Sequence, residues 1–230
     1  MQNQMLKSFT ASTIAQFILI IQVFLVSSCS SPSQEATSRV ERLPYYKEAT
    51  FTPVWFESKD DVYKDFHQIP SFSLVNQLGD TITEKSVEGK IYVTDFFFTA
   101  CPGICPKMTT NMSIIQEAFQ KDEMVMLLSH SVTPEFDSVE VLREYAEAKG
   151  INSEKWFLLT GAREEIYDLG RNHYFVEENL GLQKDEDDFL HTENFILVDK
   201  NLHIRGIYNG LSKTSINQLI ADIKTLKAER

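Results

Sequence analysis

Residues 90–98 read KIYVTDFFF, a run of β-branched and aromatic residues too dense to leave either face in water, which predicts a strand buried at the centre of a sheet. MVMLLSHSV (124–132) and WFLLTG (156–161) predict two more buried strands, and NFILVD (194–199) with IRGIYN (204–209) flank Lys200-Asn201 as a hairpin. Between these runs the apolar spacing changes to three and four. Pro106 stands at a first turn, and Met108, Met112, Ile115 and Phe119 share one face, predicting a helix over about 106–120. SVEVLREYAEAKG (138–150) predicts a helix stopped by its glycine, REEIYDLGRN (163–172) a short helix, and the residues from about Ser212 a closing one. Upstream, IPSFSLVNQLGDTITEKSV (69–87) alternates around Leu78-Gly79-Asp80 as a hairpin, and the aromatic, irregular stretch 43–66 is expected to wrap an edge of the domain.

Strand, helix, strand, helix, strand pair, helix implies an α/β domain: a central mixed sheet flanked by helices, with an N-terminal hairpin extension. At 230 residues and 43% hydrophobic, the chain can bury a core of that size. Its first 28 residues carry a single charge, Lys7, and an apolar run from Ile14 to Val26, short for a membrane span; they read as a signal peptide. The run ends at LVSSC, which resembles a lipobox, the cleavage and lipidation signal of bacterial lipoproteins. On that reading Cys29 is the lipidated first residue of the mature chain, 29–42 is a polar tether and 43–230 is the working domain, exported and lipid-anchored to a bacterial membrane with the domain in the periplasm. The net charge of −11 argues against a nucleic-acid partner, because an acidic surface repels phosphate.

Three cysteines are an odd count for an exported protein, and lipidation of Cys29 accounts for the odd one. The remaining pair, Cys101 and Cys105, closes too short a loop to add much stability. It is there for chemistry or for metal. The pair lies where the central strand turns into a helix, so backbone N–H groups and the helix dipole favour a thiolate. Cys105 should sit at or next to the helix cap. Three residues between the cysteines, Gly103 among them, widen the loop enough for the sulfurs either to close as a disulfide or to stand apart and chelate. Two thiolates want a third ligand, and neutral imidazole is the commonest. Of five histidines, His67, His130, His173 and His203 read as surface or core residues, whereas His191 follows the acidic run KDEDDF and opens the 194–209 hairpin.

With these residues in view the sequence resembles the Sco/SenC family of copper proteins. VTDFFFTACPGICPKMTTNM (93–112) is similar to that family's strand, cysteine loop and helix, and FLHTENFILVDKNLHIRGIYNG (189–210) to its histidine-bearing hairpin ending in Tyr-x-Gly; the likeness runs over roughly 43–228. It implies a thioredoxin-like domain that binds copper, as Cu(I) or Cu(II), through Cys101, Cys105 and His191. It further implies a role in building the binuclear copper centre of cytochrome c oxidase, with the oxidase's subunit II or another exported copper protein as partner. The alternative is a tethered thiol-disulfide reductase that uses the redox pair Cys101 and Cys105, which needs no histidine. A peroxiredoxin-type peroxidase ranks below both, since Phe98 stands where that chemistry wants Thr. In the segment VTPEFD, Thr133 stands where many family members carry Asp; Glu135 or Asp137 could substitute for it, but both read more readily as surface acids at the start of the next helix. Met108 and Met112, at i and i+4, read as core rather than as soft ligands.

Overall fold

Every residue of Ile91–Phe97 is buried, and so is every residue of Val125–Ser131. These two strands lie side by side and parallel at the middle of the sheet, as their unbroken apolar runs require. The computed structural model describes residues 37–56, 65–176, 190 and 192–229. Within them the chain forms β1 (Ser73–Asn76), β2 (Thr81–Thr83), the one-turn helix α1 (Glu84–Val87) and β3 (Ile91–Phe97). It continues with α2 (Cys105–Ala118), β4 (Val125–Ser131), α3 (Val139–Lys149), β5 (Trp156–Thr160) and α4 (Arg163–Asp168). The strands β6 (Asn194–Val198) and β7 (Ile204–Asn209) and the helix α5 (Lys213–Ala228) complete it.

The sheet has seven strands in the order β2-β1-β5-β4-β3-β6-β7. β3, β4 and β5 are parallel, while β1 joins β5, and β6 joins β3, in antiparallel register. This is the mixed sheet expected, with the N-terminal hairpin on one edge. That hairpin is shorter than its alternation suggests, because the chain coils into α1 at Glu84, where the Thr83 and Ser86 side chains form a reciprocal cap. Helix α3 ends as expected, at Gly150 in the left-handed region. On the far edge the 43–56 segment lies against β7, with Tyr46 bridging Ile204 and Tyr45 bridging Val54. Buried Arg205 secures that edge: its guanidinium donates to Asp199 (3.1 Å), Glu229 (2.6 Å) and the Leu43 and Pro44 carbonyls, and it stacks on the Tyr45 ring. No helix among the described residues is long and apolar enough to cross a membrane.

Each face of the sheet carries its own core. Met108, Met112, Ile115, Leu219 and Ile223 pack on one face over Val93 and Leu127. Phe72, Ile166, Tyr167 and Tyr174 pack on the other over Tyr92, Phe96 and Leu128. Met108 and Met112 are fully buried, which bears out the reading of both as core.

Two titratable groups lie on the adjacent central strands β3 and β4, on opposite faces of the sheet. Asp95 accepts a hydrogen bond from Ser129, whose hydroxyl in turn accepts from Trp156 Nε1 at 2.8 Å, and burial pushes its carboxyl up to about 7. His130 Nδ1 lies 3.0 Å from the Thr94 hydroxyl, its Nε2 has no hydrogen-bond partner among the described residues, and burial pushes the ring down to about 4. Their linkage to folding has opposite sign. From about pH 4 to 7 the unfolded chain gives up the Asp95 proton that the fold retains, so this group makes stability fall as pH rises. From about pH 4 to 6.5 the unfolded chain takes up a His130 proton that the fold excludes, so this one makes stability rise. Each slope reaches about 1.4 kcal/mol per pH unit, and in the wild type they offset each other. Urea melts should therefore show Asp95→Asn gaining stability as pH rises from about 4 to 6.5, where His130 alone remains, and His130→Leu losing it from about pH 4 to 7, where Asp95 alone remains. Parallel pH profiles for the two variants would contradict the assignment.

Candidate metal and redox centre

β3 delivers the chain to a short loop in which the Cys101 N–H bonds the Phe98 carbonyl at 3.3 Å, and the chain then winds into α2 with Cys105 as its first residue and Pro106 as its second. The proline's missing N–H costs nothing there, since the first turn's donors have no helical acceptor. Both cysteines are free thiols: Cys105 is buried and Cys101 partly exposed, and the two interact electrostatically. Partial burial alone would push Cys101 up. The neighbouring Cys105 side chain and the backbone N–H groups of Cys105, Gly103 and Ile104 outweigh it, so its pKa falls. Cys105 shifts the opposite way, pushed up to about 12 first by burial and then by the neighbouring Cys101 sulfur. One sulfur is ready to ionise and the other holds its proton. A cavity of about 330 Å³ opens beside them, walled by Phe96, Phe98, Ile104, Val132, Leu190 and Thr192.

Two glycines allow Leu190 and the residues from Thr192 onward to come close to this cavity. After α4 the chain makes a single π-helical turn, Leu169–His173, which sequence periodicity did not announce. Gly170 lies in that turn against Leu190 and Phe96, and a Cβ there would come within 2.8 Å of Leu190 and 3.0 Å of Phe96. Gly210, the last residue of the Tyr-x-Gly pattern, donates to the Glu193 carbonyl at 2.7 Å, and a Cβ on it would strike Phe195. Asn111 on α2 donates to the Gly210 carbonyl at 2.6 Å, fastening the helix that carries Cys105 to the same turn. His191 and Cys29 lie outside the described residues, as does the acidic run 185–188. The two chain neighbours of His191, Leu190 and Thr192, both line the cavity that holds the cysteines.

The SCO1/SenC family model matches residues 61–228. The chain belongs to the SCO1/SenC family. It is similar to a SCO1/SenC family lipoprotein from Bacillus anthracis, at 31% identity and a TM-score of 0.62, over 71% of this chain and 96% of that one. BsSco, a member of the Sco family of cytochrome c oxidase assembly proteins in which a disulfide switch has been identified, is 28% identical with a TM-score of 0.60, over 71% and 95%. Bradyrhizobium japonicum ScoI, solved with copper bound, is 28% identical with a TM-score of 0.55, over 68% and 98%. The fold is thioredoxin-like, as its Sco neighbours are.

Against this family background the segment after β4 corrects the sequence reading. Glu135 is a surface acid, 3.7 Å from Arg163. Asp137 is not: it is 1% exposed and accepts from Thr99, Ser131 and Thr133, a burial that its place in a charged loop before a helix does not signal. The other histidines keep structural roles. His203 is buried with Nδ1 2.8 Å from the His67 carbonyl, and His67 Nε2 lies 2.8 Å from the His173 carbonyl. Among the described residues no three His, Cys, Asp or Glu side chains cluster as a metal site.

The difference between the two thiols fixes their order of reaction. Iodoacetamide should alkylate Cys101 first, with a rate that rises at a pH below the ordinary thiol range, while Cys105 stays unmodified until well above it. Peptide mapping after partial alkylation reads this directly. Equal labelling of both cysteines at neutral pH would contradict it.

Proposed function

We propose that this protein is a membrane-tethered copper chaperone that holds copper between Cys101, Cys105 and His191 and delivers it to the binuclear copper centre of cytochrome c oxidase. Copper is its cargo, and subunit II of the oxidase, or another exported copper protein, is the recipient. The observation that carries this reading is the common cavity: both sulfurs and both chain neighbours of His191 border the same space. The donor set suits the ion. Two thiolates favour Cu(I), and an added imidazole supplies the nitrogen that Cu(II) prefers. Because thiolates are the ligands, only the reduced pair takes up the metal, and uptake releases the Cys105 proton that burial otherwise retains. Copper bound to the related ScoI supports the same cargo here.

Thiol-disulfide reduction of a partner's copper-binding cysteines is the second reading. It is favoured by the split between a lowered Cys101 and a raised Cys105, the arrangement of an attacking thiol and a resolving one. His191 separates the two. In a copper titration of the reduced protein, His191→Ala should lose the sulfur-to-copper charge-transfer absorption and bind Cu(II) more weakly, by tenfold or more as an order of magnitude for a lost metal ligand, and still form the Cys101–Cys105 disulfide. An unchanged Cu(II) spectrum would exclude His191 as a ligand. A variant that loses copper but sustains oxidase assembly in cells would leave the reductase as the function.

The location belongs to the same proposal. A signal peptide over 1–28 and a lipid on Cys29 would hold the domain, 43–230, on the periplasmic side of a bacterial membrane, with 29–42 as its tether; the similarity to a family lipoprotein supports this. The mass of the mature N-terminal peptide tests it, and an unmodified Cys29 would remove the lipid anchor.

A further inference from the structure

A buried carboxylate lies at the foot of the cysteine loop, and its partners are hydroxyls and one backbone N–H rather than a cation. Asp137 Oδ2 accepts from the Thr99 N–H (3.3 Å), the Ser131 hydroxyl (2.5 Å) and the Thr133 hydroxyl (3.2 Å), and Oδ1 accepts from the Thr99 hydroxyl (2.5 Å). These donors come from two of the chain segments that wall the cavity. Thr99 precedes Cys101 by two residues, and Ser131 and Thr133 flank Val132, which lines the cavity with both sulfurs. Asp137 is itself held in place, since its own N–H and that of Phe136 donate to the Thr133 carbonyl at 2.9 Å.

We propose that Asp137 is a positioning residue for the metal and redox centre: by binding Thr99 through both backbone and side chain, it pins the Cys101 end of the loop to the end of β4. The proposal rests on the reading of Cys101 and Cys105 as the working pair. It also accounts for Thr133. A second carboxylate at that position would face the Asp137 oxygens as a like charge, whereas a hydroxyl donates to them. The chain therefore keeps one acid at this corner and surrounds it with donors. Charge-assisted hydrogen bonds are the shorter and stronger kind, so three hydroxyls and an N–H on one carboxylate restrain the loop more than neutral acceptors would. A restrained loop keeps the two sulfurs at a high effective concentration toward each other, which favours both disulfide closure and joint ligation of a metal.

The test uses Thr99→Val, which deletes the side-chain tie and leaves Asp137 in place, together with Asp137→Ala, Asp137→Asn and, as control, the exposed Glu135→Gln. Each is equilibrated in glutathione buffers, where the two thiols pass two electrons and two protons to glutathione disulfide as the Cys101–Cys105 bond forms, and each is separately titrated with Cu(II). Thr99→Val and Asp137→Ala should weaken the intramolecular disulfide about tenfold, a potential about 30 mV less negative, and broaden or diminish the Cu(II) charge-transfer band. Asp137→Asn, which keeps an acceptor, should fall between them and wild type, and Glu135→Gln should match wild type. If Asp137→Ala does not fold, Thr99→Val decides alone. Wild-type potential and spectrum in Thr99→Val and Asp137→Asn would overturn the proposal, as would changes that only follow a loss of folded protein by circular dichroism. A wild type that binds no copper would refute the chaperone reading, and the glutathione measurement would still decide the role of Asp137.

Discussion

The pairing of a partly exposed Cys101 with a buried Cys105 is the constraint on which the candidate site depends, and it exists because a buried strand ends one loop before a helix begins. β3 is enclosed on both faces, so its end is fixed in position by the core. The first turn of α2 is fixed in the same way, by Met108 and Met112 beneath it and by the Asn111 bond to Gly210. Between these anchors Cys101 receives the loop's N–H groups and Cys105 is drawn into the core. Identical side chains thereby acquire opposite proton affinities.

A metal site or a disulfide would each exploit that asymmetry, and the surroundings serve either. The cavity is mainly apolar, which strengthens electrostatic interactions within it. Its walls come from distant parts of the sequence: Phe96 from β3, Val132 from just past the end of β4, Leu190 and Thr192 from the approach to β6. The packing at Gly170 and Gly210 lets this last segment come close, and larger residues at either position would force it away. The mixed sheet thus brings together, at one end of its central strands, the cysteine loop, the end of β4 and the entry to the last hairpin.

Much of this was legible in the sequence, for physical reasons that differ from element to element. KIYVTDFFF could only be a strand buried on both sides, and a cysteine pair directly after it had to fall at a strand-to-helix turn. Gly150 stopped its helix, and the paired methionines packed in the core, because spacing and residue type agreed with each other. Local charge and a position before a helix make Asp137 look like a surface acid. Its burial depends on donors at Thr99 and Ser131, and nothing in the linear pattern links those residues to it. The π-helical turn at Leu169–His173 was equally silent, since its purpose is to bring Gly170 against a segment twenty residues further on. Short-range pattern reports which face of an element is apolar. It does not report which polar residues will meet when the elements pack.

The most direct test of copper binding by this pair is the X-ray absorption spectrum at the copper edge of the reduced, Cu(II)-loaded full-length protein. Two sulfur scatterers together with an imidazole nitrogen are expected in the first shell, and the sulfur contribution should vanish when the pair is first oxidised to the disulfide. A first shell of nitrogen and oxygen alone, or one that is the same with the cysteines reduced and oxidised, would contradict copper binding by Cys101 and Cys105.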